Sequence, residues 1–431
     1  MSLSIHEVFE LLRGLMPTAG LDAASKEAPP RAFPFKTNTH IHLPPNFSAF
    51  HDVSEAVEQA AAEGINVLGA GNYYDFDVYG EFGAACLSKG ILPLFGLEVI
   101  TLDADLERAG VKINDPGNPG KMYICGKGIT RLDPLLPDAS QTIDKIRQND
   151  SDRMRRMIGL LSDIFTAAGV ATPLDEEEIV DRVVGRTGAA PGTVTLQERH
   201  VAMAFQEALF ACADGASRTA ALKDLLGAEP SDSSDAVKVQ NDIRTHLMKS
   251  GRPAFVAEKF VTFEEAFRLI LQLGGIPCYP VLLDGAKPVC PFEDPVDKLI
   301  ANVKSRGIHC VEFIPLRNDV AALERYVVAA RKAGLVVTAG TEHNTLDMPP
   351  LTPLCRGGQA IPAAVEDILR EGACIIAAHE VLTLSGRAGF VDENGSVYGG
   401  GQELIGRMAR IGAAVVGRAA RAGEPPVQGE I

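Results

Sequence analysis

The sequence predicts an α/β fold, a β/α barrel of about seven strands interrupted by a helical insertion, and three observations predict it. From Phe33 onward, short apolar runs alternate with longer helical patterns: FPFKTNTHIH, VSEAVEQAAAEG, INVLGA, VYGEFGAACLSKG, then ILPLFGLEVI. The same rhythm resumes late in the chain, in FEEAFRLILQLGG before IPCYPVLL, DPVDKLIANVKSRG before IHCVEFIP, and NDVAALERYVVAARKAG before LVVTAGTEH. Between these blocks, over residues 138–252, strand signals vanish and helical ones dominate, as in SDRMRRMIGLLSDIFTAAG and TLQERHVAMAFQEALFAC.

With MYICGKG counted as a strand, all connections read as helical crossovers, which favours a parallel barrel; an open doubly wound sheet is the other arrangement. The chain then divides into an N-terminal helix and linker (1–32), a first part of the barrel (33–137), the helical insertion (138–252), a second part of the barrel (253–385) and a C-terminal hairpin and helix (386–431). Glu10 and Arg13 stand at helical spacing in the first segment, so it reads as an amphipathic helix and not as a signal peptide. Residues 17–34, rich in Pro, Ala and charge, suit a connector. PAAVEDILREGACIIAAHEVL reads as one long helix, and Asn394-Gly395 as a hairpin turn. The insertion either covers the barrel mouth or serves as a homo-oligomerisation arm.

A chain of 431 residues, 46% hydrophobic, can bury a large core. With 41 basic against 56 acidic residues, its formal charge of -15 repels nucleic acid and anionic membranes, which leaves a small molecule as the expected partner. Eight scattered cysteines without a CxxC pair read as reduced thiols, and no apolar run reaches the roughly 18 residues of a membrane span, so a soluble cytoplasmic protein is expected.

The chemistry concentrates at strand ends. His40 and His42 end the first strand, where alternation projects both imidazoles to one face. Glu98 ends an otherwise apolar strand, and a carboxylate there must be paired, hydrated or coordinated. Glu342, His343 and Asn344 follow the last strand, and alternation puts His343 opposite the other two. Donors from three strands at the C-terminal mouth of a barrel form what a divalent ion would need. Lys127 and Arg317 follow strands and either grip an anionic group at the mouth or stand there as solvated rim charges. His51, His200, His246 and His379 read as surface or structural histidines.

The order THIH, GLE, PCYP and GTEHN resembles the PHP (polymerase and histidinol phosphatase) family over residues 33–140 and 253–350. The resemblance implies a distorted seven-stranded β/α barrel that binds two or three divalent ions, often zinc, manganese or iron, and cleaves phosphate esters with metal-activated water. The sequence also departs from that pattern. GAGNYYDFD puts Asn72, Tyr73 or Asp75 where an imidazole is usual, Tyr279-Pro280 replaces a His-Pro, and Glu342-His343-Asn344 replaces an Asp-x-His. A phenol and a carboxamide replace imidazole poorly, so fewer than three ions are expected. One ion held by His40, His42, Glu98 and Glu342 is the preferred arrangement, with Tyr279 or His343 as proton carrier. Asn72, Lys127, Arg317 and Asn344 are then expected to bind the substrate. The expected function is a metal-dependent hydrolase of a small anionic metabolite, in the resemblance's terms a phosphoesterase. The alternatives are an amidohydrolase-like enzyme, which usually wants a metal-bridging lysine, and a metal-depleted barrel that binds a ligand without turnover.

Overall fold

The apolar runs pair into one mixed sheet, described by a computed structural model over residues 3–26, 35–399 and 401–423. Its strands are β1 (Lys36–Ile41), β2 (Ile65–Ala70), β3 (Leu92–Leu102), β4 (Lys121–Lys127), the two-residue β5 (Val261–Thr262), β6 (Ile276–Val281), β7 (Cys310–Phe313) and β8 (Val336–Ala339). They lie in the order β1-β2-β3-β4-β6-β7-β8, with β5 beside the far end of β3. The ring nearly closes where the segment after β8 meets β1: His40 O accepts from Thr341 N and Glu342 N at 3.0 and 2.9 Å, and His42 N donates to Glu342 O at 2.8 Å.

The expected all-parallel barrel needs one correction. β4 runs antiparallel to both β3 and β6. The connection from β3 holds only the five-residue helix α5 (Ala104–Arg108) and a turn-rich loop, with no longer helix to pack back across the sheet as parallel crossovers usually do. β3 also continues past Glu98 to Leu102, so Glu98 lies inside the strand and not at its end.

Helices cover the barrel where capping residues start them. Of the two N-terminal helices, α1 (Ile5–Gly14) begins with a reciprocal Ser4–Glu7 capping box, and α2 (Thr18–Ala24) occupies part of the stretch expected as connector. Residues 27–34 of that connector lie outside the described residues. α3 (Val53–Ala62), capped by Asp52, and α4 (Tyr79–Ser88) join the first strands. Five helices fill the segment between the two halves of the barrel: α6 (Pro137–Ala167), α7 (Glu176–Thr187), α8 (Glu198–Cys212), α9 (Gly215–Leu226) and α10 (Ala236–Ile243). α11 (Phe263–Gln272), α12 (Val296–Ser305) and α13 (Val320–Lys332) serve the later strands, and α14 (Ala363–Leu384) and α15 (Gly401–Ala422) close the fold. The turn at Asn394-Gly395 is flanked by one antiparallel bridge, Val391 to Val397.

Two apolar cores result. The larger fills the barrel and its helical coat; the smaller lies within the five intervening helices, where Phe165 and Phe205 meet edge-to-face at 4.9 Å. α6 belongs to both, because Ile143 and Ile146 pack on the barrel while Met154, Leu161 and Phe165 pack on the smaller core. One continuous 31-residue helix therefore fixes the second body against the first. No helix among the described residues is long and apolar enough to cross a membrane.

His379 shows how α14 is tied to its neighbours. Phe390 N donates to its Nδ1 at 2.9 Å, so Nε2 carries the proton and donates to Gly274 O at 2.8 Å. Burial, aided by the charge of Arg131, lowers its pKa to about 4, below the ordinary histidine value near 6.5. The unfolded chain therefore binds the proton more tightly, and the stability from the neutral ring, complete above about pH 6.5, is lost as pH falls toward 4. His379→Gln keeps one donor and one acceptor without titrating. Between pH 7 and 5 its free energy of unfolding, followed by thermal melting, should fall less steeply than that of the wild type, by up to about 1.4 kcal/mol per pH unit. Parallel melting curves across that range would refute the assignment.

Candidate metal centre

The barrel seam decides the site. His40 lies in β1 and His42 follows it directly, so strand alternation turns both rings inward. Glu342 and the next residue adopt left-handed backbone conformations, φ 68° and 52°, which turns the Glu342 side chain toward the two imidazoles. Glu98 approaches from β3. Ligand atoms of His40, His42, Glu98 and Glu342 all lie within 4.8 Å of one another, and all four residues are buried.

The donor set suits a divalent ion. Glu98 Oε2 stands 3.2 Å from His42 Nε2 and 3.6 Å from His40 Nε2. Yet His40 Nε2, both ring nitrogens of His42 and Glu98 Oε2 are buried atoms without a partner of hydrogen-bonding geometry. Buried polar atoms left so are costly, and two imidazoles with two carboxylates converging on one point are borderline-to-hard ligands that zinc, manganese or iron accepts. Burial works to depress the pKa of His42, but Glu342 and Glu98 outweigh it and raise the value to about 9. Burial likewise works against ionisation of Glu342, and Arg317, His42 and His40 hold it far below the usual carboxylate range. The pocket thus demands positive charge at its centre.

Two glycines make room for His40. A Cβ on Gly340 would stand 2.3 Å from His40 Cβ, and one on Gly71 would stand 2.6 Å from His40 Nε2, both well inside contact distance. Tyr73, one of the three residues that stand where the family pattern has an imidazole, stacks on His42 with ring centroids 5.1 Å apart.

Above the donors opens a cavity of about 320 Å³. Glu98, Glu342, Arg317 and Asn344 line it from the barrel, Asn114 and Asp115 from the loop before β4, and Glu198, Arg199 and Arg244 from α8 and the turn after α10. Arg317 Nη1 stands 3.4 Å from Glu342 Oε1, and Asn344 Nδ2 donates to Glu342 Oε2 at 2.5 Å.

Four expected roles are not met by the geometry. Tyr279 faces away from the barrel interior: its hydroxyl donates to Glu293 at 2.9 Å and its ring stacks on Phe292, so it is no proton carrier for the site. The nitrogens of His343 are engaged by Thr341 Oγ1 and Pro349 O at 2.8 and 3.0 Å, and its ring stacks on Phe50. Asn72 is buried and clamps the backbone of Leu43 through both ends of its amide, at 2.8 and 3.0 Å, instead of meeting a substrate. Lys127 ends a strand of reversed direction and so lies below the donors, its ammonium 2.6 Å from Glu312 Oε2 and 3.1 Å from Thr39 O. Burial works to lower its pKa, but Glu312 overrides it, so the lysine is a salt-bridged cation and not a metal-bridging ligand.

Sequence reasoning passed over Glu312, although a carboxylate inside the apolar run CVEFIP was a usable signal. Arg199 and Arg244 gave none, because only packing of the intervening helices brings them to the cavity.

No family model matches this chain, and no curated protein matches it. Among solved structures, a Bifidobacterium adolescentis protein, provisionally named a metal-dependent phosphoesterase, aligns over 79% of this chain and 97% of its own with a TM-score of 0.53 at 17% identity. An amidohydrolase from Chromobacterium violaceum, with bound sulfate and no metal, aligns over 77% and 96% with a TM-score of 0.49 at 20% identity. The first likeness shows a shared fold.

The His40 cradle is testable. Gly71→Ala should displace the ring and lower zinc affinity by about five- to a hundredfold, since overpacking a tight site costs about 1–3 kcal/mol. Calorimetric zinc titration with circular dichroism as a folding control measures it, and unchanged affinity would remove His40 from the ligand set.

Proposed function

We propose that this chain is a metal-dependent hydrolase of a small anionic metabolite, a phosphoesterase of PHP type that works with one divalent ion. The observation that carries this reading is the convergence of four buried donors, most of their free atoms without hydrogen-bond partners, on the floor of a cavity lined with guanidinium groups. Bound by His40, His42, Glu98 and Glu342, a divalent ion supplies Lewis acidity to water and to a substrate oxygen.

The chain's own residues supply recognition. Arg199 and Arg244 line one wall, and Arg199 has no carboxylate within ion-pair distance among the described residues. Burial, with the neighbouring charge of Arg244, lowers the Arg199 pKa to about 10, so it stays cationic at neutral pH while repelling its neighbour. An anion between the two relieves that repulsion and gains charge-assisted hydrogen bonds. Arg317 and Asn344 face the same space and hold Glu342 in place, which links substrate binding to the metal ligands. Tyr73 and Tyr123 line the cavity with phenols whose pKa burial raises, so both keep their protons and serve as hydrogen-bond donors. The engagement of Tyr279 and His343 elsewhere favours a second reading, a barrel that binds its ligand without turnover.

Protein purified without chelator should contain about one equivalent of zinc, manganese or iron by elemental analysis. It should hydrolyse phosphate monoesters in a broad substrate screen, and His42→Ala should lose both properties. Metal binding without hydrolysis would select the second reading, and hydrolysis that survives His42→Ala would overturn the metal-dependent mechanism. In the same assay Arg199→Ala should raise KM about tenfold with a smaller change in kcat. An unchanged KM would remove the arginine pair from substrate binding.

A further inference from the structure

Beneath the metal ligands lies a buried charged chain that the proposed reaction does not use. Glu312, fully buried in β7, places Oε2 2.6 Å from His40 Nδ1 and 2.6 Å from Lys127 Nζ. Its other oxygen accepts from Thr39 Oγ1 at 2.7 Å and Thr338 Oγ1 at 3.3 Å. Every side of this carboxylate is engaged, so it has no freedom to rotate.

We propose that Glu312, neutralised by Lys127, is the positioning residue of the metal centre, fixing His40 in the Nδ1–H tautomer so that Nε2 presents its lone pair to the ion. The proposal rests on the metal-site reading above. Its logic is donor accounting. An ionised carboxylate only accepts, so at 2.6 Å the proton belongs to His40 Nδ1, and Nε2, which lacks a hydrogen-bond partner, is left facing Glu98 and His42. Such carboxylate–histidine–metal arrangements orient a ligand ring and raise its basicity.

Lys127 makes the arrangement affordable in charge. Glu98 and Glu342 already place two carboxylates at the centre, and Glu312 without a partner would add a third, uncompensated charge to a buried site. The ammonium cancels that charge from below while leaving Nδ1 its acceptor. His42 has no such support: its Nδ1 is unpartnered and its ring is held by stacking on Tyr73. The two histidines therefore differ, one locked by a hydrogen bond to a buried carboxylate and one packed.

The test uses chelator-stripped full-length protein labelled with 15N-histidine. Two-bond 1H–15N correlations at pH 8, with His40 assigned by its loss in His40→Gln, should show the Nδ1–H tautomer. Glu312→Gln combined with Lys127→Met leaves the net charge of the pocket unchanged, and it should weaken zinc binding ten- to hundredfold by titration while the far-ultraviolet spectrum is retained. An Nε2–H tautomer in the wild type, or wild-type zinc affinity in the double variant, overturns the proposal. If the double variant does not fold, the wild-type tautomer decides alone. Should the wild type bind no zinc, manganese or iron, the functional reading fails, while the tautomer still decides the role of Glu312.

Discussion

Closure of the barrel at one seam is the constraint on which the rest of the site depends. Backbone bonds between His40, His42 and Glu342 join the first strand to the segment after the last, and the same residues carry three of the four candidate metal ligands. Glu342 and His343 take left-handed conformations there, φ 68° and 52°, which non-glycine residues enter at a cost. That cost is met where closure and ligand placement coincide. Gly71 and Gly340 leave the space in which the His40 ring can stand against the neighbouring backbone.

The reversed direction of β4 has a second structural effect. In a parallel arrangement its C-terminal residues would open onto the mouth; antiparallel, they lie under the ligands, and the mouth receives Asn114 and Tyr123 instead. Lys127 thereby becomes part of a buried ion pair with Glu312, whose pKa, despite burial, is held near 2 by Lys127 and His40. Breaking one partner of such a pair is far more damaging than replacing both, because the remaining charge is left uncompensated in a dry interior.

Charge is distributed unevenly. The chain as a whole carries -15, yet the cavity collects Arg199, Arg244 and Arg317, with Asp115 and Glu198 on its walls and Glu98 and Glu342 at its floor. Arg199 and Arg244 come from helices that have their own core and are joined to the barrel by α6.

The amino-acid sequence by itself determined the βα rhythm, the helical character of residues 138–252, and the candidate ligands His40, His42, Glu98 and Glu342, because periodicity and a polar residue in an apolar strand are local signals. It could not give the direction of β4, since an apolar run reads alike in either direction and the connection before it is long enough for both. Nor could it give where Tyr279, His343, Asn72 and Lys127 point, because each is claimed by a distant partner: Glu293, Pro349, Leu43 and Glu312. Arg199 and Arg244 became cavity residues only when the second core packed. Local spacing names donors; long-range packing decides which atoms they face.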